Sequence, residues 1–111
     1  MNIAAESYGQ AVVLILKGEF NADTLEAFNV AVEHQLTDAT VRDIVLNLEG
    51  VPFIDSAALE STLTLQQRLL ERMGQVKLLK ADANVRKILE ITRLDACFEC
   101  FEDSDKAVKT L

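Results

Sequence analysis

The apolar positions of the chain alternate between short continuous runs and helical stripes. Ile3 to Tyr8 reads as a short strand, followed by a Gly9-Gln10 turn. Ala11 to Lys17 is rich in Val, Leu and Ile, which predicts a buried strand closed by Gly18. The period then changes. Leu25, Phe28, Val32 and Leu36 recur at helical spacing and predict a helix over Asn21 to Leu36 with one apolar face. Asp23, followed three positions later by Glu26, has the form of a capping box. His34 falls off the apolar face beside Glu33, so it reads as solvent-exposed and without a special role.

Arg42 to Leu48 is a further strand, with Ile44, Val45, Leu46 and Leu48, and Val51-Pro52-Phe53-Ile54 continues extended. Pro52 has no N–H to give to a ladder, so it belongs at an edge or a strand start. A long helix follows from Asp55 to Met73, with Leu59, Leu63, Gln66, Leu69, Leu70 and Met73 as its inner stripe and Gly74 as the C′ residue that ends it. Asp55 and Glu60 near its start and Arg68 and Arg72 near its end suit the helix dipole. Val76 to Leu79 is a strand. Asp82 or Asn84 caps a helix through Thr92, with Val85, Ile88, Leu89 and Ile91 apolar. Phe98 to Phe101 is a last strand, and Asp103 caps a terminal helix with Val108 inward and Lys106 and Lys109 near its end. The order β-β-α-β-α-β-α-β-α predicts an α/β fold. Its mixed sheet has about four to five strands covered by about four helices. Val13, Ile15, Ile44, Leu46 and Leu78 are its expected core.

Composition adds bounds to this pattern. At 111 residues the chain is one domain, residues 1–111. Half its residues are apolar and 26% are charged, as in ordinary globular proteins. The longest apolar run, Ala11 to Leu16, is far shorter than the ~20 residues a membrane span needs. No basic residue precedes Lys17, so the start lacks the charge of a signal peptide and a cytoplasmic location is expected. Eleven Lys/Arg against eighteen Asp/Glu give a net charge of −7. That balance argues against nucleic-acid binding and against anionic membrane surfaces. It favours a neutral or basic protein as partner.

Cys97 and Cys100 form a C-x-x-C, which in other settings is a redox pair or half a zinc site. Here no second C-x-x-C exists, the single histidine is remote in sequence, and the pair sits in a predicted strand rather than at a helix start. Structural thiols in a reducing compartment, with no metal, are the expectation. There is no Gly-rich phosphate loop and no G-x-S-x-G elbow, and the carboxylates are spread over helix faces. No catalytic set and no cofactor site is expected, and the chain does not read as an enzyme.

One segment stands apart. In Val51-Pro52-Phe53-Ile54-Asp55-Ser56-Ala57-Ala58-Leu59 an apolar strand stops and Asp-Ser opens the long helix. One reading makes Asp55 or Ser56 only the N-cap. The other makes Ser56 a phosphorylation site, because a helix N-terminus tolerates a phosphate.

This segment resembles the signature of STAS domains, the family of bacterial anti-sigma factor antagonists. Their pattern is an apolar pair followed by Asp-Ser-Ser-Gly-Leu-Gly, which matches here at Asp55, Ser56 and Leu59. Leu16-Lys17-Gly18-Glu19-Phe20 is similar to the family's strand ending in Gly, and Ile44-Val45-Leu46-Asn47-Leu48 to its central strand. Asn84 to Thr92 resembles its later helix, and Phe101-Glu102-Asp103-Ser104, with Ala107, its closing segment. The chain departs from the pattern at four positions. Ala57 replaces the second Ser, Ala58 and Glu60 replace the two Gly, and Arg93 stands where the family usually has Gly.

The resemblance implies a STAS-like fold and a mechanism. The unphosphorylated antagonist binds an anti-sigma factor, often a serine kinase, and so frees the sigma factor. The kinase phosphorylates the serine after the Asp, here Ser56, and a phosphatase reverses this. Asp55, Ser56, Ala57, Ala58 and Glu60 would then contact the partner. The alternative is a STAS interaction module without the phospho-switch, in a signalling scaffold or a lipid-transport complex. Glu60 sits one helical turn from Ser56 and would repel a phosphate there.

Overall fold

The computed structural model describes residues 1–102. Asn2–Tyr8 (β1) and Ala11–Lys17 (β2) form a hairpin across the turn at Gly9. Leu25–Leu36 (α1) leads to Asp43–Gly50 (β3), Ser56–Leu70 (α2) to Val76–Leu79 (β4), and Ala83–Ile91 (α3) to Glu99–Phe101 (β5). The five strands lie in chain order. β1 and β2 are antiparallel and every later pair is parallel. Each crossover steps one strand in the same direction. With the usual right-handedness, α1, α2 and α3 therefore share one face of the sheet.

That face carries the main core. Val12, Leu14, Leu16, Ile44, Leu46, Leu48 and Leu78 meet Phe28 and Val32 of α1, Leu65 and Leu69 of α2 and Val85 and Leu89 of α3. The opposite face holds a smaller cluster of Val13, Val45 and Leu79, with Ile15 and Phe101 packed against it. The expected core thus divides between two faces, and Ile15 is only half-buried. Lys77 is fully buried beside that second cluster, its ammonium 5.5 Å from the Phe101 ring centre.

The helix boundaries differ from expectation in instructive ways. The first helix opens with a 3₁₀ turn at Ala22–Thr24. Its capping box is Asn21 with Thr24 rather than Asp23 with Glu26. The Asn21 Oδ1 accepts from Asp23 N–H at 3.0 Å, and Thr24 Oγ1 accepts from Asn21 N–H at 3.0 Å. Along α2 the buried residues are Ala58, Leu59, Thr62, Leu65 and Leu69. Leu70 and Met73, expected inside, are exposed, as is Ile91 of α3. Leu70 lies about 100° round the helix from Leu69 and so off the buried stripe, and Met73 lies beyond the end of α2 at Leu70. Met73, not Gly74, adopts the left-handed C′ conformation at φ 64°. Gly74 N–H donates to Leu69 C=O and Met73 N–H to Leu70 C=O, the paired bonds of a Schellman end. Gly74 serves a different need, because a Cβ there would overlap the Arg42 carbonyl of the neighbouring strand entry.

α3 ends in the same way, with Arg93 at φ 61° as C′. A side chain in that conformation costs about 1 kcal/mol, which accounts for the glycine usual at this position. Arg93→Gly is accordingly expected to stabilise the fold by about 0.5–1 kcal/mol in denaturant unfolding. Destabilisation would mean that the Arg93 side chain makes contacts that outweigh the backbone cost.

Three α-helices fall among the described residues, against about four expected. The helix expected from Asp103, with Lys106, Val108 and Lys109, lies outside them.

Candidate functional site

The Asp55–Ser56 segment sits where the carboxyl ends of β2 and β3 meet the start of α2. The sequence builds this junction in steps. Gly18, at φ 112°, turns the chain out of β2, and its N–H donates to Gly50 C=O at 3.0 Å. Phe20 then runs parallel to Ile54 in an isolated bridge, and both are buried. Asp55 N–H donates to Phe20 C=O at 3.3 Å.

Asp55 is the N-cap of α2, with extended φ −94° and ψ 178°. Its Oδ1 accepts from Ala58 N–H at 2.8 Å, which satisfies one of the free donors of the first turn. Its Oδ2 accepts from Ala22 N–H at 3.0 Å, thirty-three residues away in sequence. One carboxylate therefore starts the helix and also fixes the β2–α1 loop against it. Asp55→Ala should lose both bonds and cost about 1–2 kcal/mol, while Asp55→Asn, which keeps an acceptor oxygen, should cost less. Equal losses for the two in urea unfolding would show that the cap is not the stabilising element.

Because Asp55 makes the cap, Ser56 is left at the first helical position with its side chain exposed. Its hydroxyl takes part in no hydrogen bond among the described residues. Ala57 is half-buried and Glu60 is exposed, one turn further along the Ser56 side of the helix. Ala58 is fully buried, so its methyl belongs to the core and not to a contact surface. It contributes to the site only through the N–H that Asp55 holds. Phe53 is a residue the sequence reading passed over: at 53% exposed it places an aromatic ring on the surface three residues before Ser56. The signal was Pro52, which takes the segment out of the ladder before the chain turns inward again at Ile54.

Behind this surface, α2 is fastened to its neighbours. Arg68 pairs with Glu33 of α1, which holds the Glu33 carboxyl below its ordinary range, and Ser61 Oγ donates to Asn29 Oδ1 at 3.0 Å. Arg72 donates to the carbonyls of Leu36 at 2.6 Å and Val41 at 2.9 Å. Gln66 bridges to Val76 N–H and Cys97 C=O.

The two cysteines lie elsewhere. Cys97 is in a 3₁₀ turn at Asp95–Cys97 rather than in the predicted strand, and Cys100 is in β5. Both are free and exposed as residues, yet desolvation pushes the Cys100 thiol above its ordinary pKa, against the opposing pull of Arg86. A redox nucleophile needs the opposite shift. His34 is exposed near the end of α1, where it lines a groove between α1 and β1. Among the described residues no cluster of three or more His, Cys, Asp or Glu could hold a metal ion, and no helix is long and apolar enough to cross a membrane.

Comparison with known proteins bears on the fold and the family. An anti-sigma F factor antagonist of Lysinibacillus sphaericus is 28% identical over 85 residues, which span 77% of this chain and 73% of that protein. Among solved structures, a Thermotoga maritima protein assigned as an anti-sigma factor antagonist superposes with a TM-score of 0.89 at 20% identity, over 97% of this chain and 92% of that one. The Bacillus cell fate determinant SpoIIAA, solved in its phosphorylated form, superposes with a TM-score of 0.77 at 21% identity, over 98% of each chain. At these identities the structural likeness establishes the fold. The model of the STAS domain matches residues 2–107, nearly the whole chain, and the protein belongs to the STAS domain family.

Proposed function

We propose that this protein is an anti-sigma factor antagonist. In this reading it binds an anti-sigma factor that is also a serine kinase, and phosphorylation of Ser56 switches it off until a phosphatase restores it. It acts by binding and carries out no catalysis of its own. The observation that carries the reading is the division of labour at the start of α2. Asp55 supplies the cap, so the exposed Ser56 hydroxyl is not needed for the fold and is available to a kinase.

The contact surface comprises Ser56, Ala57 and Glu60 of α2, the Phe53 ring, and the loop that Asp55 holds in place through Ala22. An exposed aromatic beside a polar, modifiable centre is the composition of an interface anchor with a rim. Phosphoserine at the first helical position would carry about −1.5 to −2 charges. The free N–H groups and positive dipole end of α2 accommodate that anion, so the fold survives. The partner meets it as bulk and charge added to a protein already at −7.

The test is incubation with the anti-sigma kinase and ATP, followed by peptide mass spectrometry. One phosphate on Ser56, and none on Ser56→Ala, is the expected result. A second reading rests on Glu60, whose carboxylate lies a turn from Ser56 and supplies a fixed negative charge on the same side. In that reading the chain is a STAS interaction module without a switch, within a signalling scaffold or a lipid-transport complex. Stable binding to a partner with no phosphate ever found on Ser56 would favour it.

A further inference from the structure

The edge of the sheet offers a second surface. Among the described residues β1 pairs only with β2, so its outer edge carries backbone N–H and C=O groups with no strand partner among them. α1 lies beside that edge, and a groove of about 730 Å³ runs between strand and helix. Met1, Ile3 and Ala5 line it from the strand, at the alternate positions that share one face. Ala27, Val30 and Ala31 line it from the helix. Ala5, Ala27 and Ala31 leave room between the larger Met1, Ile3 and Val30, His34 and Gln35 also line the groove, and Val30 is 64% exposed although it is a β-branched apolar residue.

The groove has a charged end. The hairpin reverses the chain and the β2–α1 loop reverses it again, so α1 runs in the same sense as β1. Asp23 and Glu26, at the start of α1, therefore lie near Met1, as the closeness of Gly18 to Met1 also requires. Neither carboxylate has an ion-pair partner among the described residues.

We propose that this groove is a second docking site, which takes an extended segment of a partner protein. The segment adds to β1 as a sixth strand, sends apolar side chains at alternate positions into the groove, and carries a Lys or Arg over Asp23 and Glu26. In this mode the main-chain bonds give affinity, while the alternate side chains and the charge give specificity. A second copy of this chain is a poor occupant. β1 contains no Lys or Arg and does contain Glu6, so β1 against β1 would bring no cation to the acidic end, and two chains of −7 repel. The site goes beyond the Ser56 reading and does not rest on it. The two surfaces share only the loop in which Ala22 is bonded to Asp55 and Asp23 lines the groove.

The experiment titrates the full ¹⁵N-labelled chain with two short capped peptides of alternating valine and threonine. One carries a lysine at its first position and the other at its last, to cover both strand directions. One of the two should bind, with shifted and exchange-protected amides in β1 and shifts along α1. A glutamate in place of that lysine, or a proline at its centre, should weaken binding by about tenfold or more. Val30→Asp should do the same, and Asp23→Asn with Glu26→Gln should erase the preference for lysine over glutamate. Ser56→Asp should leave peptide binding unchanged. The proposal is overturned if neither peptide shifts β1 amides, or if binding survives both the proline and Val30→Asp. It is equally overturned if loss of binding follows from Ser56→Asp, or if the chain alone sediments as a dimer that Val30→Asp dissociates.

Discussion

Leu46→Ala is expected to lower the free energy of unfolding by about 2–5 kcal/mol, the range for removing a large buried side chain. Leu46 is 1% exposed at the centre of β3, the middle strand of five, flanked in register by Leu14 of β2 and Leu78 of β4. It points to the helical face, where Phe20, Ile54, Leu59 and Thr62 surround the same small void. Collapse around the deleted atoms is resisted from both sides. The strands are held by their ladders, and α2 is tied to α1 and the strand entries by Arg68 and Arg72. The cost should therefore fall in the upper part of the range. Urea unfolding measures it, and a loss below about 1 kcal/mol would place Leu46 outside the core.

The strand and helix order was legible because most elements keep a strong period. β2 and β3 are continuous apolar runs, as strands buried on both faces should be, and α1 keeps a clean stripe at Phe28, Val32 and Leu36. Errors gathered at ends and caps. Leu70 and Met73 continue a plausible stripe, but Leu70 falls beside the buried line of Leu65 and Leu69, and Met73 lies past the end of α2, where the chain turns and Gly74 passes the Arg42 carbonyl. The Asn21–Thr24 box was hidden because Asp23–Glu26, two residues on, has the same form. Ile15 belongs to a second, smaller cluster that a one-dimensional pattern cannot separate from the first. At the site, the end of the buried strand at Ile54 predicts an exposed Ser56 hydroxyl at the start of the long helix, as observed, whereas the sequence does not decide between Asp55 and Ser56 as the N-cap, a role that falls to Asp55. The bond from Asp55 to Ala22 joins segments with no sequence relation, and the exposure of Phe53 depends on how the chain leaves the sheet.

The second large effect is expected at Ser56. In the proposed reading, phosphorylation should weaken binding to the anti-sigma partner by about tenfold or more, since it adds bulk and about −1.5 to −2 charges at the surface the partner meets. Ser56→Asp should reproduce part of this, because one carboxylate carries less charge and fewer acceptor oxygens than a phosphate. Ser56→Ala should bind as tightly as the unmodified protein and should be indifferent to kinase and ATP. Stability should change little in any of these forms, because the cap is made by Asp55 and Ser56 Oγ has no hydrogen bond to lose among the described residues. Phe53→Ala should weaken binding without phosphorylation, as the loss of an exposed aromatic anchor.

The most direct measurement is calorimetric titration of the anti-sigma partner with the unmodified chain and with the same chain phosphorylated on Ser56, both shown by circular dichroism to be folded. The account predicts saturable binding of the unmodified protein and an affinity at least about tenfold lower for the phosphorylated one. Equal affinities for the two folded forms would contradict it.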